Sequence, residues 1–487
     1  MPTILGANSV SGYDIDNSMR FNRGDTACLR KTFSGSPTST KICTISFWTK
    51  LADPSNTDAK CIFSAIKSGS NEDFIKFMGV NNGILNALEL GFNNTNSGSM
   101  MLSVGNDTLI KFRDPSAWYH FVIAIDSSQG TASNRLKAYV NGTQRDVESR
   151  VEGGSITDDV VLTEDYELGF LTASAHSVGE NVESAGNEPY DGYLADFNFI
   201  DGQQLDPSYF GETNDNGVWI PKKYAGGYGN YGFFLEFQQT GTSANASGKG
   251  ADTSGNGNHF DDNGATAEDI TTDTPTNNFC TMNPLDNYYA QATFSEGNCK
   301  FSAAGSPTTY VRSTQGVTNG KWYWEVKIID KAGGTSIGVQ EGESPGASDQ
   351  MGYNTAGVQL RQTGQKHTNG GNATYMAAQS NDDIIMIAFD RDNSNVYFGA
   401  NGQWGDGSGN TDEANPSSAI GITVSDFVFP ALGDMDGSGT VVYEANFGNP
   451  SFTISSSNSD ANGHGSFEYA VPSGYFALCT KNLAEFG

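Results

Sequence analysis

Apolar and polar residues alternate in short runs along most of the chain, the period-two signature of half-buried strands. In Trp118 to Ile125 one face carries Tyr119, Phe121, Ile123 and Ile125, and in Tyr193 to Ile200 one face carries Tyr193, Ala195, Phe197 and Phe199. Ile42 to Thr49 is a third run of the same kind. Leu136 to Val140 ends in Asn141-Gly142, residue types that accept positive φ at both central positions of a type I′ hairpin turn. Residues 1–212 therefore predict one sheet-forming domain.

The pattern returns over residues 288–487. Lys321 to Ile329 sets Trp322, Trp324, Val326 and Ile328 against Tyr323, Glu325 and Lys327. Ile384 to Phe389 leads through a polar turn into Val396 to Ala400 and a second pair, Asn401-Gly402. Phe427 to Leu432, Thr440 to Phe447 and Tyr475 to Thr480 predict the closing strands, at the turn spacing of a sandwich. Residues 213–287 differ: polar, Gly-rich runs such as TSANASGKGADTSGNGNHFDDNG cannot pack a core of their own. They read as a connector, with Phe233 to Phe237 docked as a strand on a neighbour. The predicted architecture is all-β, two antiparallel jelly-roll sandwiches joined by this Gly-rich connector. Both regions also share a local plan, a strand ending in Asp (Asp126, Asp390), a polar turn, and a strand ending in Asn-Gly. Convergence on one hairpin logic accounts for it.

Composition narrows the function classes. The 59 Gly and 17% charged residues fit short strands and turns rather than helices. A net charge of −29, spread along the chain with no Lys/Arg block, argues against nucleic acid as a partner. It confers solubility and leaves carboxylates available for Ca²⁺. The six cysteines show no C-x-x-C pairing and read as buried thiols. No run approaches the ~20 apolar residues that span a bilayer, and the N-terminus has neither the basic nor the apolar region of an export signal. Membrane insertion is not expected.

The elements FNRGDTACLRKTF, TISFWTKL, AWYHFVIAID, RLKAYVNGTQ and YDGYLADFNFIDGQQLDPSYFG resemble those of laminin-G or concanavalin-like domains. GKWYWEVKI, TSIGV, DIIMIAFDRDNSNVYFGANGQW, VFPALGDMDGSGTVVYEANFG and PSGYFALCTKNL resemble a SPRY domain. The pairing of the two, with GADTSGNGNHF and DTPTNNFCTMNPL between them, is similar to structural proteins of marine tailed bacteriophages, tail-fibre-like and adhesin-like ones above all. That resemblance implies a non-enzymatic protein of the virion surface, assembled in the host cytoplasm without a signal peptide. Its expected partners are other virion structural proteins, host-surface glycans and copies of itself, as a trimer. The first sandwich, with the first residues, would dock to the particle and the second would face outward. A capsid decoration or head-fibre role and a free glycan-binding lectin or adhesin stand as alternatives. The absence of a coiled-coil, collagen-like or β-helix repeat argues for a compact appendage over a long shaft.

Concanavalin-like folds also host glycoside hydrolases, which need two carboxylates facing one sugar. The strands YLADFNFID and YWEVKII lack a Glu-x-Asp-x-x-Glu pattern, and Glu325 stands alone, so it reads as a structural residue. The five histidines have no nucleophile partner in a recognisable motif. Asp434, Asp436 and Ser438 occupy positions 1, 3 and 5 of a calcium-loop half, but Ala445 stands where the bidentate Glu belongs, and a tight turn through Gly437 and Gly439 is the better reading. Asp390, Asp392 and Asn395 are likewise turn formers. No cofactor is required, with Ca²⁺ the one ion considered. Candidate sugar-stacking rings are Tyr224, Tyr228 and Tyr231 in the connector and Trp404 at the second Asn-Gly hairpin, weighed against packing roles.

Overall fold

The alternating runs become the strands of two units, Val10–Thr276 and Asn277–Gly487, in a computed structural model. It describes residues 12–487 apart from 70, 80–84, 93–98, 104–108, 151–155, 158–161, 184–185, 288–291, 305–308, 333, 343–349 and 436–438. The proposed role of the first residues in docking lies outside the described residues. Both units are β-sandwiches. The only α-helix among the described residues, Thr480–Phe486, replaces the end of the strand expected over Tyr475 to Thr480, of which Phe476–Ala477 alone is strand. No helix among them is long and apolar enough to cross a membrane.

In the first unit one sheet runs, in spatial order, Ile270–Thr271, Ser18–Phe21, Gly192–Asp201, Ile42–Leu51, Tyr119–Asp126, Leu136–Val140 and Thr143–Arg150. The facing sheet runs Asp261–Asn263, Cys28–Thr32, Ala175–Val178, Lys60–Ser68, Asn71–Phe77, Leu88–Phe92 and Ser99–Ser103, and joins the first through Thr143–Arg150. Aromatic residues at inward positions meet between them. Phe47 stacks on Phe121 and Phe197 at 5.5 and 5.4 Å, and Phe63 from the facing sheet meets Phe197 edge-on at 5.6 Å. Each such ring, fully buried, is worth about 1.5–3 kcal/mol of hydrophobic stabilisation. Asn141 and Gly142 adopt φ of 47° and 75°, the type I′ turn that their residue types predict.

The segment 213–276 is part of this unit, which corrects the reading of residues 213–287 as a connector. Phe233–Leu235 pairs antiparallel with Gly192–Asp201, Asp261–Asn263 pairs with Cys28–Thr32, and Ile270–Thr271 pairs with Ser18–Phe21. Tyr231, Phe233, Leu235, Phe237 and Phe260 belong to the main core. Its polar, Gly-rich composition serves tight turns instead. Asp252 accepts backbone N–H bonds from Phe234, Ser254 and Asn258, while Asn256 and Asn258 both donate to the Gly232 carbonyl. Those side chains supply the partners that a helix or a ladder supplies elsewhere.

In the second unit a sheet ordered Ala292–Ser295, Lys300–Ala304, Thr440–Asn446, Lys321–Lys331, Ile384–Asp390, Asn395–Ala400, Gln403–Gly405 and Thr411–Glu413 faces a second, ordered Thr309–Arg312, Val428–Asp434, Thr335–Glu341, Gly357–Arg361, Gln365–Thr368 and Gly371–Thr374. Trp324, Val326, Ile385, Ile387 and Phe398 meet Ile337, Val339, Val358 and Leu360 in the core. Tyr443 crosses that core: its hydroxyl donates to the Gly433 carbonyl at 2.9 Å and accepts from the Ser336 amide at 3.0 Å. A buried hydroxyl that both donates and accepts fixes the two sheets in register at little desolvation cost.

Candidate functional site

The rings proposed for sugar stacking are interior. Tyr224 stacks on Phe210 at 5.2 Å and meets Tyr228 edge-on at 5.1 Å, in a cluster with Val122, Ile200 and Phe234. Tyr228 donates its hydroxyl proton to Asn198 at 2.8 Å. Tyr231 stacks on Phe33 at 4.6 Å and donates to the Gly35 carbonyl. Trp404, 4% exposed, packs with Tyr323, Met386 and Phe467. None of the four offers an open face, which corrects the expectation. The physical reason is that Tyr231 joins the main core, while Val122 and Ile200 in one unit, and Tyr323 and Met386 in the other, make the second face of a sheet apolar as well, which Tyr224, Tyr228 and Trp404 cover.

Asp434 ends the strand Val428–Asp434, with its side chain buried and its backbone paired to Thr309 and Thr335. Asp436 and Ser438 lie outside the described residues. No group of three His, Cys, Asp or Glu side chains among the described residues is placed to hold a metal. All six cysteines are buried thiols outside any disulfide.

Glu325 is fully buried as an acceptor. Oε1 takes bonds from the Tyr323 hydroxyl at 2.9 Å and the Tyr469 amide at 2.8 Å; Oε2 takes them from the Glu468 amide at 2.9 Å and Asn446 Nδ2 at 3.3 Å. Burial pushes its pKa above the ordinary glutamate range, against the pull of those four donors. It pins the chain around residues 468–469 onto the outer face of its strand.

Solvent-accessible chemistry gathers instead in a cleft of about 380 Å³ on the first sandwich, lined by Arg23, Thr57, Asp58, Ala59, Lys76, Met78, Gly79, Asn187 and Glu188. Four local devices build it. A 3₁₀ turn, Arg23–Asp25, capped by Asn22, presents Arg23, whose Nη2 lies 2.6 Å from Asp58 Oδ2. Buried Lys60 donates to the Asn56 and Asp58 carbonyls and so holds the loop carrying Asp58. At Gly79 a Cβ would come within 2.8 Å of the Ala59 nitrogen and the Thr57 oxygen, so only glycine lets the two backbones approach. Glu188 sits at φ 48°, an uncommon conformation for a residue with a side chain, and its carboxylate meets Lys76 Nζ at 2.8 Å.

Burial works against the Lys76 ammonium, yet Glu89 and Glu188 hold its pKa above the usual lysine value. The lining therefore offers two fixed cation–anion pairs, Arg23 with Asp58 and Lys76 with Glu188, beside the Asn187 amide and the apolar Met78. Donors and acceptors alternating at hydrogen-bond range, with little net charge, suit a polyhydroxylated ligand. Its size falls within the range of small-ligand sites. Sequence reasoning missed this group because Arg23, Asp58, Lys76 and Glu188 come from four separate segments and share no motif spacing.

Residues 25–204 match the Laminin_G_3 family model, described as the concanavalin A-like lectin/glucanases superfamily. A search of curated proteins gives no match. Among solved structures, the chain is similar to the SPRY domain of human HERC1, at 18% identity over 30% of this chain and 86% of that one, with a TM-score of 0.25. It is similar to a human SPRY domain at 15% identity, 32% and 94% coverage and a TM-score of 0.24. It is also similar to the native heptameric SAP-like pentraxin of Limulus polyphemus at 17% identity, 40% and 80% coverage and a TM-score of 0.26. Residues 25–204 thus form a concanavalin A-like domain within a chain that is all-β.

Proposed function

We propose that the chain is a non-enzymatic structural protein on the surface of a tailed-bacteriophage virion, a receptor-binding appendage that attaches to host-surface glycans. The observation that carries the glycan reading is the cleft of Arg23, Asp58, Lys76 and Glu188 on a concanavalin A-like sandwich. The matching family's description names lectins and glucanases, both of which engage carbohydrate. Binding rather than hydrolysis is the reading because each cleft carboxylate is held by a cation and Glu325 is enclosed. The virion assignment rests on the resemblance of the paired domains to phage structural proteins. The proposal includes self-association, with a trimer expected, and contact with other virion proteins.

Gold-labelled antibody on purified particles, together with a glycan array probed with the intact chain, tests the reading. Label at the tail and array binding support it. Label spread over the capsid replaces it with capsid decoration. Array binding without any particle label replaces it with a free lectin, and an array on which nothing binds overturns the glycan role.

A further inference from the structure

The two sheets of the second sandwich end, among the described residues, on Ala292–Ser295, Thr411–Glu413, Thr309–Arg312 and Gly371–Thr374. A sheet edge presents backbone N–H and C=O groups that a further strand can pair, and proteins close their edges with charge, cover or caps. The first three ends are closed in these ways. Asn287 caps Ala292, its Nδ2 donating to the Ala292 carbonyl at 2.6 Å and its Oδ1 accepting the Ala292 amide at 3.2 Å. Thr411–Glu413 carries Asp412 and Glu413. Arg312 is engaged at both backbone groups, its amide by Asp286 at 2.9 Å and its carbonyl by the Asn283 amide at 3.0 Å.

Gly371–Thr374 has no such closure. All its residues are exposed, it holds no charge and no proline, and its register with Gln365–Thr368 is unbroken. The turn before it fixes which of its groups are outward. Asn369 and Gly370, at φ 51° and 69°, make a two-residue type I′ turn, so the flanking Thr368 and Gly371 exchange hydrogen bonds. Bonded and non-bonded pairs alternate along an antiparallel ladder. Lys366 with Ala373 is therefore the next bonded pair, and the N–H and C=O of Asn372 and Thr374 point away from the sheet.

We infer that this edge pairs with itself: a second copy of the chain adds its own Gly371–Thr374 antiparallel, about a two-fold axis through Ala373. That axis sets Asn372 against Thr374 of the second copy, and Thr374 against its Asn372, so every outward N–H meets an outward C=O. Ala373 faces its own copy in a non-bonded pair, where Cα atoms approach to about 4.5 Å and a small uncharged side chain fits. Copies of a chain with net charge −29 repel each other, so they meet best where no carboxylate is brought against a carboxylate. Here the strand is neutral and its neighbour supplies Lys366, opposite Ala373. The strand is thus its own complement in hydrogen bonding, size and charge. So short a contact buries less than the about 1,000 Å² of a stable interface, and it acts where copies are already held side by side. It does not depend on the glycan reading, and a two-fold contact is separate from the trimer proposed above.

Disulfide trapping on the intact chain tests the register. Ala373→Cys sets two thiols across the axis at a Cα spacing that a disulfide accepts, whereas in Asn372→Cys each thiol lies opposite Thr374. The six native cysteines are buried. With copper–phenanthroline as oxidant, Ala373→Cys is expected to cross-link about tenfold faster than Asn372→Cys. Adding Asn372→Pro to Ala373→Cys removes an outward donor, leaves the bonded pairs with Gln365–Thr368 intact, and is expected to abolish the advantage, with thermal melts verifying the fold. Hydrogen exchange at the Asn372 and Thr374 amides of wild type is expected to slow as concentration rises from about 5 to about 500 µM, and more so in high salt. Equal cross-linking of the two cysteine variants, or exchange independent of concentration, overturns the inference. Protection of these amides that appears only on assembled particles assigns the edge to another virion protein and equally overturns self-pairing.

Discussion

Trp219 donates its indole N–H to Nδ1 of His120 across 3.0 Å, which leaves the imidazole proton on Nε2, 2.9 Å from the Ser46 hydroxyl. The imidazole is also stacked on Trp48 at 4.7 Å, and the Trp219 ring lies where Gly142 and Gly211 have no side chain to obstruct it. Burial lowers the His120 pKa to about 3 and that of His176 to about 4, the latter against the pull of its hydrogen bonds to the Phe170 and Ser174 carbonyls. Both imidazoles are therefore neutral in the fold. A folded pKa below the unfolded one means that the unfolded chain binds more protons on acidification. The stabilisation is complete above about pH 6.5 and is lost as pH falls toward the folded values. Urea unfolding between pH 7 and pH 4 is expected to show each histidine costing on the order of 2–4 kcal/mol, and His120→Gln is expected to flatten that limb.

Asp196 acts in the opposite sense. It lies at φ 51° in the bulge of the strand Gly192–Asp201, buried, and accepts the Tyr13 hydroxyl at 2.7 Å. Burial raises its pKa to about 7, against the Tyr13 hydrogen bond. A raised carboxyl contributes its stability below the unfolded pKa and loses it as pH rises through the folded one. Asp196→Asn keeps the acceptor oxygen and tolerates the left-handed backbone. The variant is expected to gain about 1–3 kcal/mol at pH 8 and nothing at pH 3.5, as read by denaturant midpoints at the two pH values.

Lys50 and Asp273 form an ion pair in which both side chains are essentially solvent-free. Trp118 Nε1 also donates to Asp273, at 3.3 Å, and the Ser18 hydroxyl donates to its carbonyl at 2.6 Å. Asp273→Ala strands a buried ammonium and is expected to cost about 3–5 kcal/mol. The double variant Asp273→Ala/Lys50→Met is expected to recover most of that loss, and a thermal-melt cycle over the four proteins checks it.

At Glu325 all four hydrogen-bond partners are donors. Glu325→Gln turns an N–H₂ toward two of them and is expected to destabilise the fold by about 2–3 kcal/mol. Proteolysis should register it first as faster cleavage around residues 455–470, the segment that the carboxylate pins through the Glu468 and Tyr469 amides.

In the cleft, Lys76→Met removes one donor of the proposed glycan site and the cation that Glu188 and Glu89 share, leaving Glu188 its bond from Asn181. Array binding is expected to fall about tenfold, a loss of about 1.4 kcal/mol, with the melting temperature lowered by a few degrees only.

The sequence alone determined the strand content, the two sandwiches and both Asn-Gly hairpins. Period-two alternation and positive-φ residue types are local properties, legible wherever one face of a strand meets a core. Tertiary structure decided what local pattern could not encode. Residues 213–276 read as a connector because their backbone partners are Asp252, Asn256 and Asn258 side chains, yet Phe233–Leu235 and Phe260 complete the first core. Tyr224, Tyr228, Tyr231 and Trp404 lie beside glycines and left sugar stacking and packing both open; the tertiary structure decides for packing, with Tyr231 in the main core and the other three on second apolar sheet faces that a one-face reading does not see. Arg23, Asp58, Lys76 and Glu188 gave no signal at all, since only pairing of distant strands brings their four segments to one cleft.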